Sequence, residues 1–264
     1  MGKTISEKII AARLGKEVVR GDIVIVPVDL CMVQDGTGPL AIKQLRELMK
    51  GRSRKGGDKA VNCRLFAPQK TFIFLDHAAP SPRKELSNMH SELRKFAGET
   101  KANLSEIGEG ISHQRLVESF VNPGDIVVGA DSHTCTSGAL AAFATGMGST
   151  DVAVAMATGK TWLKIPETFL IRVTGRFPDG VYAKDLILYT IGMLGAEGAN
   201  YRALEFAGET LENMPISGRL TLCNMAVEVG AKVGLVASDG LTRAYLKEMG
   251  RENGYKEIKP DKDA

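Results

Sequence analysis

The chain has 264 residues, room for one large domain or two modest ones at roughly 150 residues each. Apolar residues make up 44% and charged residues 25%, the balance of a globular protein with a real core. Against 34 basic side chains stand 31 acidic ones, a net charge of +3 that is too mild to mark nucleic acid as the main partner, and no apolar run approaches the roughly 20 residues of a membrane-spanning helix.

At the N-terminus, Thr4 and Glu7 have the spacing of a capping box ahead of Ile9, Ile10 and Leu14, which predicts a helix. That reading takes precedence over the loose lipidation pattern formed by Gly2 and Ser6, and no secretory signal peptide is read. Ile23 to Val28 reads as a buried strand, and Pro39 to Met49 as a helix entered through Thr37 and Pro39. Residues 52–59 (RSRKGGDK) form a basic, glycine-containing loop, read as a solvated face. Thr71 to Leu75 predicts a second strand and Asp125 to Ala130 a third. Gly138 to Ala157 is rich in alanine and glycine, as expected for helices and turns packed close to other backbone. Trp162 to Pro166 breaks the pattern, and a domain boundary is placed there. Beyond it, Glu167 to Phe177 reads as a strand, Lys184 to Leu194 and Leu220 to Val229 as helices, and Lys232 to Ala237 as a strand. The charged, proline-interrupted residues 252–264 read as a linker or frayed end. Alternating strands and helices predict an α/β fold, with residues 1–165 and 166–251 as two α/β domains of layered sheets flanked by helices.

Four cysteines, Cys31, Cys63, Cys135 and Cys223, lie far apart with no CxxC, which favours isolated thiols in a reducing cytoplasm over a disulfide framework or a zinc ribbon. Two familiar patterns fail on inspection. Gly159-Lys160-Thr161 resembles the end of a phosphate-binding loop, but Val154 stands where that loop needs glycine; Gly108-Glu109-Gly110 begins a dinucleotide fingerprint, but His113 occupies its last glycine position.

The histidines carry the chemistry. Asp76-His77 ends one predicted strand and Asp131-Ser132-His133 ends another, while His113 lies in the loop between those strands. Ligands of open α/β sheets gather outside the carboxyl ends of strands, so two acid–histidine pairs at two such ends point into one crevice if the strands are neighbours. A carboxylate beside an imidazole fixes its tautomer and raises its pKa, which suits proton transfer near neutrality. His90 has no such setting and reads as a surface helix residue. Two further polar groups join the set: Gln34-Asp35, where a strand gives way to a helix, and Asn224 with Glu228, which share a helix face at i and i+4.

In this order, Gln34-Asp35, Asp76-His77, Gly110 to Gln114, Asp131-Ser132-His133-Thr134, and Cys223-Asn224-Met225 with Glu228 resemble the aconitase superfamily. Within it, the run GADSHTCTSGALAAFATGMGSTDVA is similar to the large subunits of the 3-isopropylmalate dehydratase and homoaconitase group, and the resemblance spans roughly Gly21 to Ala237. It implies an aconitase-like α/β fold and a cytoplasmic hydro-lyase that removes water from a hydroxy di- or tricarboxylate and re-adds it at the adjacent carbon. It also implies a [4Fe-4S] cluster acting as Lewis acid on the substrate hydroxyl. By the same resemblance, Asp76 and His77 help to protonate the departing hydroxyl, Asp131 and His113 form a second couple, and His133 with Glu228 a third. Ser132, Gln34 and Asn224 match residues lining the substrate and cluster site.

Departures accompany the match. Ser137-Gly138 stands where isopropylmalate dehydratases often carry His-Gly, and residues 49–70 are longer and more basic than the family pattern. The three cluster cysteines of the family, one in a GSCTNG-type motif and two in a CxxC, have no counterpart here, and none of the four cysteines matches a ligand position. The expectation is therefore an N-terminal portion of a large subunit, with no cluster of its own. It would be partnered by the missing cluster-binding region and a small swivelling subunit. A short non-catalytic paralogue acting as an interaction subunit would not need to retain Asp76, His77, His113, Asp131, His133 and Glu228 together. A mononuclear metal hydrolase would be expected to carry a helical HxxxH, which the sequence lacks.

Overall fold

A computed structural model of the protein describes residues 2–52 and 64–264. Cys63 and, apart from Arg52, the predicted basic loop at 52–59 lie outside the described residues. In chain order the first part comprises α1 (Ile5–Leu14), β1 (Ile23–Pro27), β2 (Leu30–Gln34), α2 (Gly38–Arg52), β3 (Thr71–Phe74), α3 (Lys84–Thr100) and β4 (Asn103–Ser105). There follow α4 (Ser112–Ser119), β5 (Ile126–Gly129), a 3-10 helix at Ser132–Leu140, β6 (Phe143–Gly146), α5 (Ser149–Thr158) and β7 (Lys160–Lys164). The remainder is β8 (Thr168–Arg172), α6 (Ala183–Leu194), β9 (Ala203–Ala207), α7 (Glu209–Glu212), α8 (Ile216–Asn224), β10 (Val233–Val236) and α9 (Gly240–Glu248). The α/β architecture expected from the sequence is the one observed.

Five strands form a parallel sheet in the order β4-β3-β2-β5-β6. The chain runs outward from β2 through β3 to β4, then crosses to β5 and β6 on the other side, so the order reverses between β2 and β5. Such a switch point leaves a crevice at the carboxyl ends of the two strands. Every residue of β2, β3 and β5 is buried, as expected of parallel strands covered on both faces. One face packs Val33, Ile73 and Val128 against Ile42 and Leu45 of α2, Leu93 and Phe96 of α3 and Val152 of α5; the other packs Phe72, Phe74 and Val127 against Leu116 of α4.

A second parallel sheet, β10-β9-β8, carries α6 and α8, while β1 and β7 form a separate antiparallel ribbon. The ribbon revises two expectations. Ile23 to Pro27 is a strand, but only its alternate residues are buried and Ile23 and Ile25 face solvent, because β7 is its one partner. The predicted break at 162–166 is largely β7 itself, with Leu163 buried in the core beside Val24 and Val26. Apolar clusters also cross residue 165: Val117, Ala139 and Leu140 pack with Leu204, Phe206 and Leu222, and Phe143 with Val233 and Leu235.

Three further differences have local causes. The alanine- and glycine-rich stretch after Gly138 includes β6, an outer strand of the five-stranded sheet buried by what covers it. The helix expected at 220–229 begins at Ile216 and tightens into a 3-10 turn at Met225–Val229. Residues 252–264 fold back onto the body instead of fraying: Ser238 and Ile258 form a β-bridge, and the Asp261 carboxylate accepts the Lys3 backbone N–H. The Lys8 ammonium also pairs with Asp261.

Close backbone approach joins the two sheets. A Cβ on Gly138, in the 3-10 helix, would sit 1.7 Å from the Gly234 carbonyl oxygen of β10, and one on Gly234 would sit 2.9 Å from the Cα of Cys223. These glycines let the end of α8 lie beside the 3-10 helix, which brings Asn224 and Glu228 to the crevice at the switch point.

Candidate active site

The sequence Asp-Ser-His-Thr folds locally for reasons of capping. Asp131 follows β5 and is the N-cap of the 3-10 helix, its Oδ1 accepting the His133 N–H at 2.8 Å, while the Thr134 hydroxyl donates to the Asp131 carbonyl at 2.7 Å. Asp76, just after β3, acts across elements. Its Oδ2 accepts the Ser112 N–H at 2.7 Å and so caps α4, which has no side-chain cap of its own. This cap places His113, the second residue of α4, over the carboxyl end of the sheet.

Asp131 lies where these pieces converge. His113 Nε2 is 3.0 Å from its Oδ1, His77 Nε2 is 3.2 Å from its Oδ2, and the Gln34 amide donates to Oδ2 at 3.4 Å across the switch point. His77 Nδ1 is 2.8 Å from Asp76 Oδ1, so the His77 ring bridges two carboxylates. His133 places Nδ1 3.2 Å from the Ser132 hydroxyl and Nε2 3.4 Å from Glu228 Oε1, and its ring centre is 6.3 Å from that of His113. One continuous network therefore links Asp76, His77, Asp131, His113, His133 and Glu228. Gln34 is buried behind it and accepts the Gly36 N–H, whereas the Asn224 amide donates to the Thr136 hydroxyl at 2.8 Å and supports the 3-10 helix. A cleft of about 460 Å³ opens beside Asp131 and Ser132, with Gly146, Trp162 and Lys232 in its walls.

Electrostatics divide labour across the network. Burial opposes the charged form of His77, but the Asp76 hydrogen bond and charge, with Asp131 and Asp35, outweigh it and raise the His77 pKa. Burial likewise opposes ionisation of Asp131, yet the His113 hydrogen bond and charge, the His133 N–H and Gln34 hold its carboxyl well below the usual range. A fixed anion thus sits between imidazoles, one of which is biased toward carrying a proton.

The sequence reading grouped Asp35 with Gln34 without giving it a role, and it missed His90. Asp35, fully buried, accepts the His77 N–H at 3.1 Å and the Ala78 N–H at 2.9 Å. His90, expected on the surface of a helix, is 2% exposed, and its Nε2 lies 2.9 Å from Asp35 Oδ2. The signal was present in the helical phase: His90, Leu93 and Ala97 at i, i+3 and i+7 share the buried stripe of α3.

The donor set does not fit an iron–sulfur cluster. Burial pushes the Cys31 and Cys135 thiols up to about 12 and Cys223 well above its ordinary value, and thiolates are what such clusters require. Cys135 is engaged with the Asn224 carbonyl at 3.3 Å, and Cys31 lies inside the core. Asp35, Asp76 and His77 are close enough together to surround a cation, but the two carboxylates already accept backbone N–H groups and imidazoles. Among the described residues the site offers protons and carboxylates, not thiolates.

Comparison with known proteins follows the same lines. Residues 7–263 match the family model described as the aconitase family (aconitate hydratase). The chain is 58% identical over 264 residues to a 3-isopropylmalate dehydratase large subunit of Elusimicrobium minutum, 53% to one of Thermotoga maritima and 52% to one of Archaeoglobus fulgidus. In each case the match covers all of this chain and 60% of the relative's length.

Proposed function

The chain belongs to the aconitase family, and on that footing we propose that its crevice is the proton-handling side of a hydro-lyase site. The substrate is a hydroxy di- or tricarboxylate, and 3-isopropylmalate, named in these relatives, is the first candidate. Homoaconitate-type acids are the alternative within the same chemistry. The observation that carries this reading is the Asp131 carboxylate held between His77 and His113 at the switch point.

Dehydration of a hydroxy acid needs a proton delivered to a poor leaving group and another removed from the adjacent carbon. His77, backed by Asp76 and biased toward its protonated form, is placed to protonate the departing hydroxyl. Asp131, held ionised, keeps the His77 and His113 rings oriented without taking the proton itself. His133 and Glu228, 3.4 Å apart, form a further acid–imidazole couple. Ser132 is exposed at the mouth of the crevice, where a substrate carboxylate can meet it.

The family's cluster finds no thiolate ligands among the described residues, so the Lewis acid and the small swivelling subunit are assigned to parts outside them. This chain alone is expected to bind no cluster and to turn over no substrate; iron and sulfide at cluster stoichiometry in the purified chain would contradict that. The reading is tested with a hybrid in which this chain replaces the aligned stretch of the Elusimicrobium large subunit, paired with that organism's small subunit. Dehydration of 3-isopropylmalate by the hybrid supports the reading, a preference for homoaconitate or citrate revises the substrate, and a folded, cluster-loaded hybrid inert toward all three overturns it.

A further inference from the structure

The pair formed by His90 and Asp35 lies outside the network that faces the crevice, yet it reaches the catalytic loop directly. Asp35 follows the last residue of β2 and is 0% exposed; His90, in the middle of α3, is 2% exposed. A buried carboxylate is costly unless several donors satisfy it. Here three do: the His77 N–H at 3.1 Å to Oδ1, the Ala78 N–H at 2.9 Å to Oδ2, and His90 Nε2 at 2.9 Å to Oδ2. Two of the three come from the β3–α3 loop at the residue whose ring bridges Asp76 and Asp131.

We propose that Asp35 and His90 are positioning residues that clamp the His77–Ala78 backbone and thereby aim the His77 ring at Asp131. The proposal rests on the proton-handling role given above to His77. The geometry favours a clamp over a packing accident. Helix α3 presents His90 on the same stripe as Leu93 and Ala97, positions where an apolar side chain would bury more cheaply. An imidazole there makes sense because Asp35 needs a side-chain donor, and Asp35 is needed because the loop's two amides point inward. Neither residue touches the crevice, so both act through His77.

The clamp is tested by amide hydrogen exchange on this chain and by turnover of the hybrid enzyme. In His90→Leu, which keeps the Asp35 charge but removes its donor, the His77 and Ala78 amides are expected to exchange about tenfold faster, the change that one such hydrogen bond supports. Amides of β2 and β3 keep their protection. In His90→Gln, whose amide can still donate, both rates return to those of the wild type. Asp35→Asn, which replaces one acceptor oxygen by a donor, accelerates at least one of these two amides, because each is held by a different oxygen, and decides the question if His90→Leu does not fold. In the hybrid, kcat falls with His90→Leu while KM holds, and His90→Gln recovers it. Wild-type protection of His77 and Ala78 in folded His90→Leu or Asp35→Asn overturns the clamp. So does faster exchange that leaves kcat unchanged. An inactive wild-type hybrid counts against the hydro-lyase reading alone, because the exchange experiment stands without it.

Discussion

Asp131 serves three neighbours at once: it caps the 3-10 helix, receives the His113 ring and receives the His77 ring. Replacing it by Asn keeps the shape but removes the charge that orients both imidazoles. In the hybrid enzyme, Asp131→Asn is expected to lower kcat by about a hundredfold or more, within the range of a lost general acid–base arrangement. Stability follows the same charge. Because the folded protein holds the Asp131 carboxyl below its ordinary range, its contribution is present above the unfolded value near 3.9 and is lost as pH falls through that region and below. Urea unfolding should show wild type more stable than Asp131→Asn at pH 7, with the gap closing in acid. The Asp76–His77 pair was legible in the sequence as adjacent residues, whereas the couples of Asp131 with His113 and of His133 with Glu228 join residues far apart in the chain and were expected only from the family resemblance. Convergence on one carboxylate was not legible, since it depends on β3, β2 and β5 lying side by side.

Elements meet through a few sequence-distant contacts that no local pattern announces. The N-terminus of α1 has the capping box predicted from Thr4 and Glu7, and Glu205 of β9 adds a second, buried acceptor for the Ile5 N–H at 2.8 Å. Burial raises the Glu205 carboxyl to about 7, against the lowering effect of the Ser6 and Ile5 N–H groups. The folded state therefore favours protonated Glu205; that stability is full below the unfolded pKa near 4.5 and is lost as pH rises through about 7. Denaturation of wild type and Glu205→Gln between pH 5 and pH 8 should show the wild type losing about 2–3 kcal/mol relative to the variant. Gly138 tests the contact between the sheets. Its hydrogen faces the Gly234 carbonyl, so Gly138→Ala must push the 3-10 helix from β10 and should cost about 3 kcal/mol in the same assay. The sequence signalled close packing here through its alanine and glycine content, but not the partner, which lies almost a hundred residues away.

On the scale of the whole molecule, a parallel sheet with a switch point collects the acid–base groups, and the second sheet brings Asn224 and Glu228 to its edge. The α/β class and five of the ten described strands, β1, β3, β5, β8 and β10, were readable from apolar runs, whereas the pairing of β1 with β7 and the docked residues 252–264 were hidden because exposed apolar and charged residues form their outer faces. The thiols give a molecule-wide check. With Cys31, Cys135 and Cys223 buried and their pKa values raised, a Cys63→Ser chain should resist alkylation at pH 8 until it is unfolded. Rapid native labelling would contradict the proposal that thiolate ligands lie outside the described residues. The sharpest test of a linked proton-handling network is an NMR titration of the His77 ring in wild type and in Asp131→Asn. The prediction is a wild-type midpoint above the ordinary imidazole value near 6.5 that moves down in the variant; a midpoint at or below that value, or one indifferent to Asp131, would contradict it.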